Sequence, residues 1–349
     1  MLTAAAFAFT FSSAARAADE PAPALKWETS LAEGLKRAKA EKKLVFADFW
    51  RDNCVYCVRM EQQTFPDPAV ARLLAEQVIV KAKNVDHAAE IERYEVSGYP
   101  TLALLDPEGN VVDIQTGFMG ELEFGSWLSG GASRYRRMQS LRERIARDPA
   151  DLAAILALGK LLAGEGKREE ARAVLAKIPE ADREGKRRET AEALLEIGLI
   201  ARRSRDYKLA TESIGRAREL ALARLAPTGA ARRAGPTVVP ASGPSAGPST
   251  APAPAPEDLE LLDRVLYELA TALMLAGKRP ELVRTLEEYD RSVKTADARR
   301  HGWILLQLGQ QKLKDGDREA ARRAFARCDE LYPRSEEARQ CRQALAELK

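Results

Sequence analysis

Two cysteines stand three positions apart, Cys54 and Cys57, inside the stretch DFWRDNCVYCVRM (48–60). A C-x-x-C pair can contribute to a metal site, attach haem, staple a small loop, or cycle between dithiol and disulfide. A structural zinc site takes four ligands, and beyond this one pair the candidates are His87 and His301, the chain's two histidines. Attachment of c-type haem calls for histidine after the second cysteine, where this chain has Val58. No metal and no cofactor is therefore expected. A purely structural bridge stays open, since secreted proteins carry many. Closing so small a loop removes little entropy from the unfolded chain, however, so the pair suits opening and closing better than stapling.

The local pattern favours redox chemistry. The pair follows a β-prone run, LVFADFW (44–50), and opens a helix. Cys54 is expected at the helix N-terminus, where unpaired N–H groups and the positive end of the dipole favour a thiolate. Cys57, one turn in, is expected to be more buried and held as a thiol until its partner is attacked.

The elements that must position the pair alternate over residues 25–132. SLAEGLKRAKAEKK (30–43) reads as an amphipathic helix, and Cys54 to about Gln77 as helix broken near Pro66 and Pro68. VIVKAKNV (78–85) reads as a strand and AAEIERYEV (88–96) as a helix. TLALLD (101–106) and VVDIQTG (111–117) read as strands joined by a turn at 107–110, and GELEFGSWLSG (120–130) as a closing helix. That order predicts an α/β domain with a small mixed sheet.

DFWRDNCVYC resembles the strand–motif–helix signature of the thioredoxin superfamily, and SGYPT (97–101) resembles its cis-proline loop. Within that superfamily, DFW…CVYC, TFPDPAV (64–70) and TGFM (116–119) resemble the C-terminal periplasmic domain of the DsbD disulfide reductases. The likeness covers about residues 28–130. It implies that Cys54 is the attacking thiolate, Cys57 the resolving thiol, and Asp48 a buried acid that accepts the Cys57 proton. It also implies a cis Pro100, with Tyr99 and Pro100 offering backbone to a bound peptide. Departures from the family pattern fall at three places. Asn53 stands where tryptophan is usual, removing a stacking surface, and Tyr56 between the cysteines is bulky enough to restrict access or stack on substrate. The lysine often found beside the buried acid is expected at the position of Ala82, with Lys81 and Lys83 on the other strand face.

From about residue 134 strand signals vanish. Four segments align on a small residue (Gly159, Gly198, Ala270, Gly309), followed twelve positions on by Ala171, Ala210, Leu282 or Ala321, and four further by Leu175, Ile214, Leu286 or Phe325. With Pro333 closing the last copy, this resembles the helix–turn–helix of tetratricopeptide repeats. The small residues are 39 apart within each pair of copies and 72 apart between pairs. The 33 extra residues read as an excursion from an otherwise regular array, with a linker between two two-repeat units as the alternative. They fall on a Pro/Ala/Gly/Ser-rich stretch at 226–256, whose composition is too poor in apolar residues to fold and which is expected to be disordered. The expected organisation is a leader at 1–18, an α/β thioredoxin-like domain at 25–132, an all-α array with repeats at 134–225, the insertion at 226–256, and repeats plus a capping helix at 257–349. Cys328 and Cys341 fall on array-facing sides of helices meeting near Pro333 and Arg334, at similar heights, and are expected to form a structural disulfide. Two buried thiols that merely pack are the plainer alternative.

The run LTAAAFAFTF followed by Ala15-Arg16-Ala17 reads as a secretory signal with a small-x-small cleavage pattern, although no basic residue precedes it. It is too short for a membrane span, which needs about twenty apolar residues. A periplasmic or secreted location, where disulfides persist, is therefore expected. The composition, 45% hydrophobic and 31% charged with a net charge of +3, points to no nucleic-acid partner. The expected function is thiol–disulfide exchange with protein substrates, with reduction suggested by the DsbD resemblance. The repeats would recruit a protein partner, and any membrane-bound electron donor would be a separate protein. The alternatives are an oxidase or isomerase, or an interaction scaffold in which the thioredoxin-like domain only binds.

Overall fold

Apolar residues fill both faces of the central strands, so the sheet between them has to be covered on both sides. The computed structural model describes residues 23–225, 255–293 and 297–348. The expected leader and residues 226–254 of the expected insertion lie outside the described residues. The chain divides into two compact units, Met1–Ser140 and Leu141–Lys349.

The first unit runs β1 (Trp27–Glu28), α1 (Leu31–Glu41), β2 (Val45–Trp50), α2 (Val55–Arg59), α3 (Pro68–Ala75), β3 (Val78–Lys83), α4 (Ala88–Arg93), β4 (Thr101–Leu105), β5 (Val111–Thr116) and the greater part of α5 (Glu121–Arg147), whose residues from Leu141 on belong to the second unit. The sheet order is β1-β3-β2-β4-β5. β3 pairs parallel with β1 and β2, whereas β4 pairs antiparallel with β2 and β5. Side chains alternate faces along a strand. Val45, Ala47 and Phe49 therefore join Val78, Val80 and Ala82 in one apolar cluster. Phe46 joins Ile79, Met60, Phe65 and Phe124 in the other. The fully buried Phe46 ring meets Phe124 edge-on, with centroids 5.4 Å apart, and also contacts Trp27, Phe65 and Trp127. Losing such a ring costs about 3–5 kcal/mol, so this cluster fixes the segment after α2 (Met60 and Phe65), α3 and α5 on the sheet.

α5 is longer than the sequence suggests. The sequence pattern predicts a closing helix over 120–130, ending at Gly130, but the helix continues through Gly131 to Arg147. A β-carbon on Gly131 would lie 2.9 Å from Leu104 Cδ2. Here glycine serves close helix–sheet packing rather than termination.

The second unit is helical throughout its described residues. Four helix pairs follow one another: α6 (Leu152–Gly164) with α7 (Arg168–Ala181), α8 (Arg188–Arg203) with α9 (Tyr207–Leu225), α10 (Pro256–Leu275) with α11 (Arg279–Ser292), and α12 (Ala298–Lys314) with α13 (Arg318–Leu331). A single helix, α14 (Glu336–Glu347), caps them. Pro256, read as the last residue of the insertion, is instead the first residue of α10, where its missing N–H is harmless.

The repeat signature has a steric cause. A β-carbon on Gly159 would meet Leu175 at 2.4 Å, one on Gly198 would meet Ile214 at 2.4 Å, and one on Gly309 would meet Phe325 at 2.3 Å. The small residue on the first helix of each pair is the socket for the large one sixteen positions later on the second. In the third pair Ala270 and Leu286, both fully buried, hold these positions. Between α9 and α11 lies a groove of about 330 Å³, floored by Leu269 and Leu273 and rimmed by Arg218, Lys278, Arg284 and Glu288.

Candidate functional site

Cys54 caps α2 from an extended conformation, and its sulfur accepts the Cys57 N–H at 3.1 Å. The two sulfurs are joined as a disulfide. The helix passes through a π-helical turn, Met60–Thr64, before the break at the prolines. The expected contrast in burial between the two cysteines is slight: Cys54 is 7% exposed and Cys57 4%. What distinguishes them is the backbone N–H aimed at Cys54. Asn53 lies at φ 58°, in the left-handed region that a short amide side chain tolerates better than a bulky one.

The motifs flagged in the sequence close around this pair. In TFPDPAV, Asp67 caps α3 by accepting the N–H groups of Ala69 and Val70, and Pro68 occupies the first turn. The Thr64 hydroxyl donates to the Met119 carbonyl at 2.6 Å, and the Met119 N–H reaches the Met60 sulfur at 3.4 Å. TGFM is thereby tied to the helix carrying the cysteines. Gly117, at φ 108°, donates its N–H to the Pro100 carbonyl at 2.8 Å. Pro100 follows a cis peptide bond, and Thr101 braces the loop through Gly98 and Thr116. Tyr99 is half-buried with the Arg51 guanidinium over its ring, while Tyr56 points out, 54% exposed.

Asp48 is buried on the Phe46 face of β2, the face that α2 covers, and its Oδ1 has no hydrogen-bond partner. Burial in that dry setting pushes its carboxyl up to about 7, even though Lys81 pulls the other way. The lysine beside the acid is Lys81, which corrects the sequence reading. The parallel register sets Asp48 opposite Lys81, and Lys81 shares a face with Ile79 and Phe46, whereas Ala82 belongs to the opposite cluster. Desolvation lowers the Lys81 ammonium below its ordinary value, opposed by Asp48. Lys81 also pairs with Glu61, a residue the sequence reading passed over. Glu61 sits seven residues beyond Cys54 on the same helical run, a spacing that marks it as near the pair but not as a lysine partner.

The two remaining cysteines share one apolar cluster between the last repeat and the capping helix, but not as the expected disulfide. Both are free and fully buried, with Cys328 on α13 and Cys341 on α14. The Cys328 thiol donates to the Gly302 carbonyl at 3.6 Å. The interaction with the neighbouring Cys328 thiol, with burial, raises the Cys341 thiol above its ordinary value, while the same interaction lowers Cys328.

Residues 31–131 match the family model for a thioredoxin-like domain. The thiol:disulfide interchange protein DsbD of Yersinia pestis (strain Pestoides F) is 37% identical over 93 residues, which are 25% of this chain and 16% of that protein. This chain thus spans only a small part of the length of such relatives. Among solved structures, the reduced C-terminal domain of Neisseria meningitidis DsbD is 22% identical with a TM-score of 0.27, covering 29% of this chain and 93% of that one. The type IV pilus biogenesis factor PilW is 18% identical with a TM-score of 0.38, covering 62% of this chain and 78% of that one. The sheet order, the cis-proline loop and the capped Cys54–Cys57 disulfide agree with the family match: residues 31–131 are a thioredoxin-like domain related to DsbD, followed by an array of tetratricopeptide-like helix pairs.

Proposed function

We propose that this chain is a thiol–disulfide oxidoreductase that reduces protein disulfides through Cys54 and Cys57 in a periplasmic or secreted setting. The observation that carries the reading is the Cys54–Cys57 disulfide at a helix start, with an N–H directed at the Cys54 sulfur, on the sheet face that holds a buried, unpartnered Asp48.

In the reduced protein, the Cys57 N–H and the free N–H groups of the first helical turn favour a thiolate at Cys54. That thiolate attacks one sulfur of a substrate disulfide. The substrate bond breaks, its other sulfur leaves as a thiolate and takes a proton from water, and a Cys54–substrate mixed disulfide remains. Asp48 then accepts the Cys57 proton, and the Cys57 thiolate attacks the Cys54 sulfur. The second substrate sulfur leaves, two electrons have passed to substrate, and the Cys54–Cys57 disulfide is restored. A carboxyl near 7 is suited to this step, since it can be a base at neutral pH and hand its proton back to solvent. A separate dithiol donor must reduce the pair for the next cycle. Tyr99 and Pro100 offer backbone to the substrate chain, and Tyr56 and Asn53 shape the entrance.

The helical array is the part of the chain suited to recruiting a protein partner, and the groove between α9 and α11 offers both apolar and charged contacts. The apolar N-terminal run with its small-x-small pattern supports export, and among the described residues no helix is long and apolar enough to cross a membrane. Insulin reduction by dithiothreitol should be accelerated by the protein and not by its Cys54→Ser variant. A pair potential near −270 mV supports reduction, whereas one near −120 mV makes the protein an oxidant. Absence of any acceleration leaves the domain as a binding module.

A further inference from the structure

The surface around Cys54 carries an apolar patch whose border is unevenly charged. Val55, Tyr56 and Val58 project outward at 72%, 54% and 46% exposure, next to cysteines that are themselves nearly covered. Single exposed apolar residues need no explanation, but three within four residues beside a reactive pair do. The charges along this stretch divide into two kinds. Asp52 is neutralised by Lys83 at 2.9 Å, and Glu61 by Lys81. Arg51 and Arg59 are different. Both are exposed, and among the described residues neither guanidinium meets a carboxylate.

Each of these arginines is instead held over an aromatic ring. Arg51 lies 5.7 Å from the centre of Tyr99, on the cis-proline loop. Arg59 lies 4.2 Å from the centre of Phe118, on the loop after β5. The two loops are linked by the Gly117 N–H to the Pro100 carbonyl. Stacking fixes a guanidinium in place but leaves its charge uncancelled. Although Arg59 Nη2 makes a long 3.4 Å hydrogen bond to the neutral Gln63 amide oxygen, its other N–H groups can still meet a carboxylate. An arginine resting on a ring also loses less freedom on binding than a loose side chain.

We propose that Arg51 and Arg59 are specificity-determining residues. They favour a polypeptide whose disulfide cysteine lies beside an apolar side chain and is flanked by acidic residues. The apolar neighbour covers Val55 and Tyr56, and the flanking carboxylates meet the two stacked guanidinium groups. This inference rests on the reading of Cys54–Cys57 as a pair that exchanges with polypeptide disulfides. It adds the chemical class of the substrate. Each exposed ion pair is expected to contribute roughly two- to five-fold in rate.

The test uses the full chain, reduced, and three disulfide-linked peptide pairs of identical apolar sequence whose cysteines are flanked by Asp and Glu, by Lys, or by Ser. Stopped-flow tryptophan fluorescence gives the second-order rate constant for each. The acidic peptide should react about ten-fold faster than the basic one in dilute buffer, and about equally in half-molar salt. The preference should be roughly halved or better in Arg51→Gln and in Arg59→Gln, be absent in the double variant, and persist when both residues are lysine. An acidic preference that survives in the double glutamine variant overturns the assignment, as does equal reaction of all three peptides with the unaltered protein. In the latter case the exchange reading stands and only the specificity falls. Failure to react even with the serine-flanked peptide overturns both.

Discussion

Replacing Asp48 with asparagine keeps the shape of the side chain and removes its proton chemistry. Burial holds the Asp48 carboxyl at about 7 in the folded protein, against an ordinary value of 3.8. Between these two values the folded state binds more protons than the unfolded chain, so unfolding free energy falls as pH rises. The loss begins near pH 3.8 and is complete once pH has passed the folded value. A tenfold change in proton affinity corresponds to about 1.4 kcal/mol, so the full interval is worth about 4 kcal/mol. Asparagine does not titrate. The stability of Asp48→Asn relative to the unaltered protein should therefore be about 4 kcal/mol more favourable at pH 8 than at pH 3.5. Any fixed cost of burying an amide is the same at both pH values and cancels. The assay is urea unfolding at the two pH values, with both proteins oxidised at Cys54–Cys57. A Trp303→Phe background lets the fluorescence of Trp27, Trp50 and Trp127 report the first unit alone. Equal stability differences at the two pH values would refute the reasoning, because Asp48 would then ionise as an ordinary carboxyl and could not hold a proton near neutrality. The same substitution should slow release of substrate from Cys54 without slowing the first attack.

Lys81→Met removes the cation that draws the Asp48 carboxyl down, so the pH at which Cys57-driven release is half-maximal should move upward; a downward shift would contradict the register that places Lys81 opposite Asp48. Gly309→Ala forces a β-carbon against the Phe325 ring and should destabilise the array by about 1–3 kcal/mol, with partial recovery on adding Phe325→Leu. Gly164→Ala, in open space on the same kind of helix, should be neutral or stabilising in thermal unfolding. For Cys328 and Cys341, we propose that the adjacent thiols pair when oxidant is present in excess. Peptide mapping without reductant after such exposure should find them linked, and two alkylatable thiols would show that they only pack.

The chemistry was legible because it is written locally. A C-x-x-C after a strand, an apolar–acid alternation in DFW, and a proline after Gly98-Tyr99 each need only a few adjacent residues. The repeats were legible for a related reason: the socket at Gly309 and the knob at Phe325 are a fixed sixteen residues apart. What escaped depends on relations between distant segments. Whether Lys81 or Ala82 shares a face with Asp48 depends on the register of β3 against β2, and a one-residue error exchanges the faces. Glu61 became visible only through its ion pair with Lys81. The helix looked as if it ended at Gly130 because the close packing of the next residue, Gly131, against Leu104 lies across the sheet. β1, at two residues, is too short to carry a pattern. The aromatic rings under Arg51 and Arg59 belong to loops nearly fifty or more residues away in the chain.

The central claim is that Cys54 attacks and Cys57 resolves. Mass spectrometry of adducts trapped by the two single serine variants tests it most directly. Reduced Cys57→Ser, mixed with a protein disulfide, should accumulate a mixed disulfide on Cys54 that dithiothreitol dissolves, and Cys54→Ser should trap nothing. Adducts on Cys57 in the Cys54→Ser protein, with none on Cys54 in the converse variant, would contradict the account.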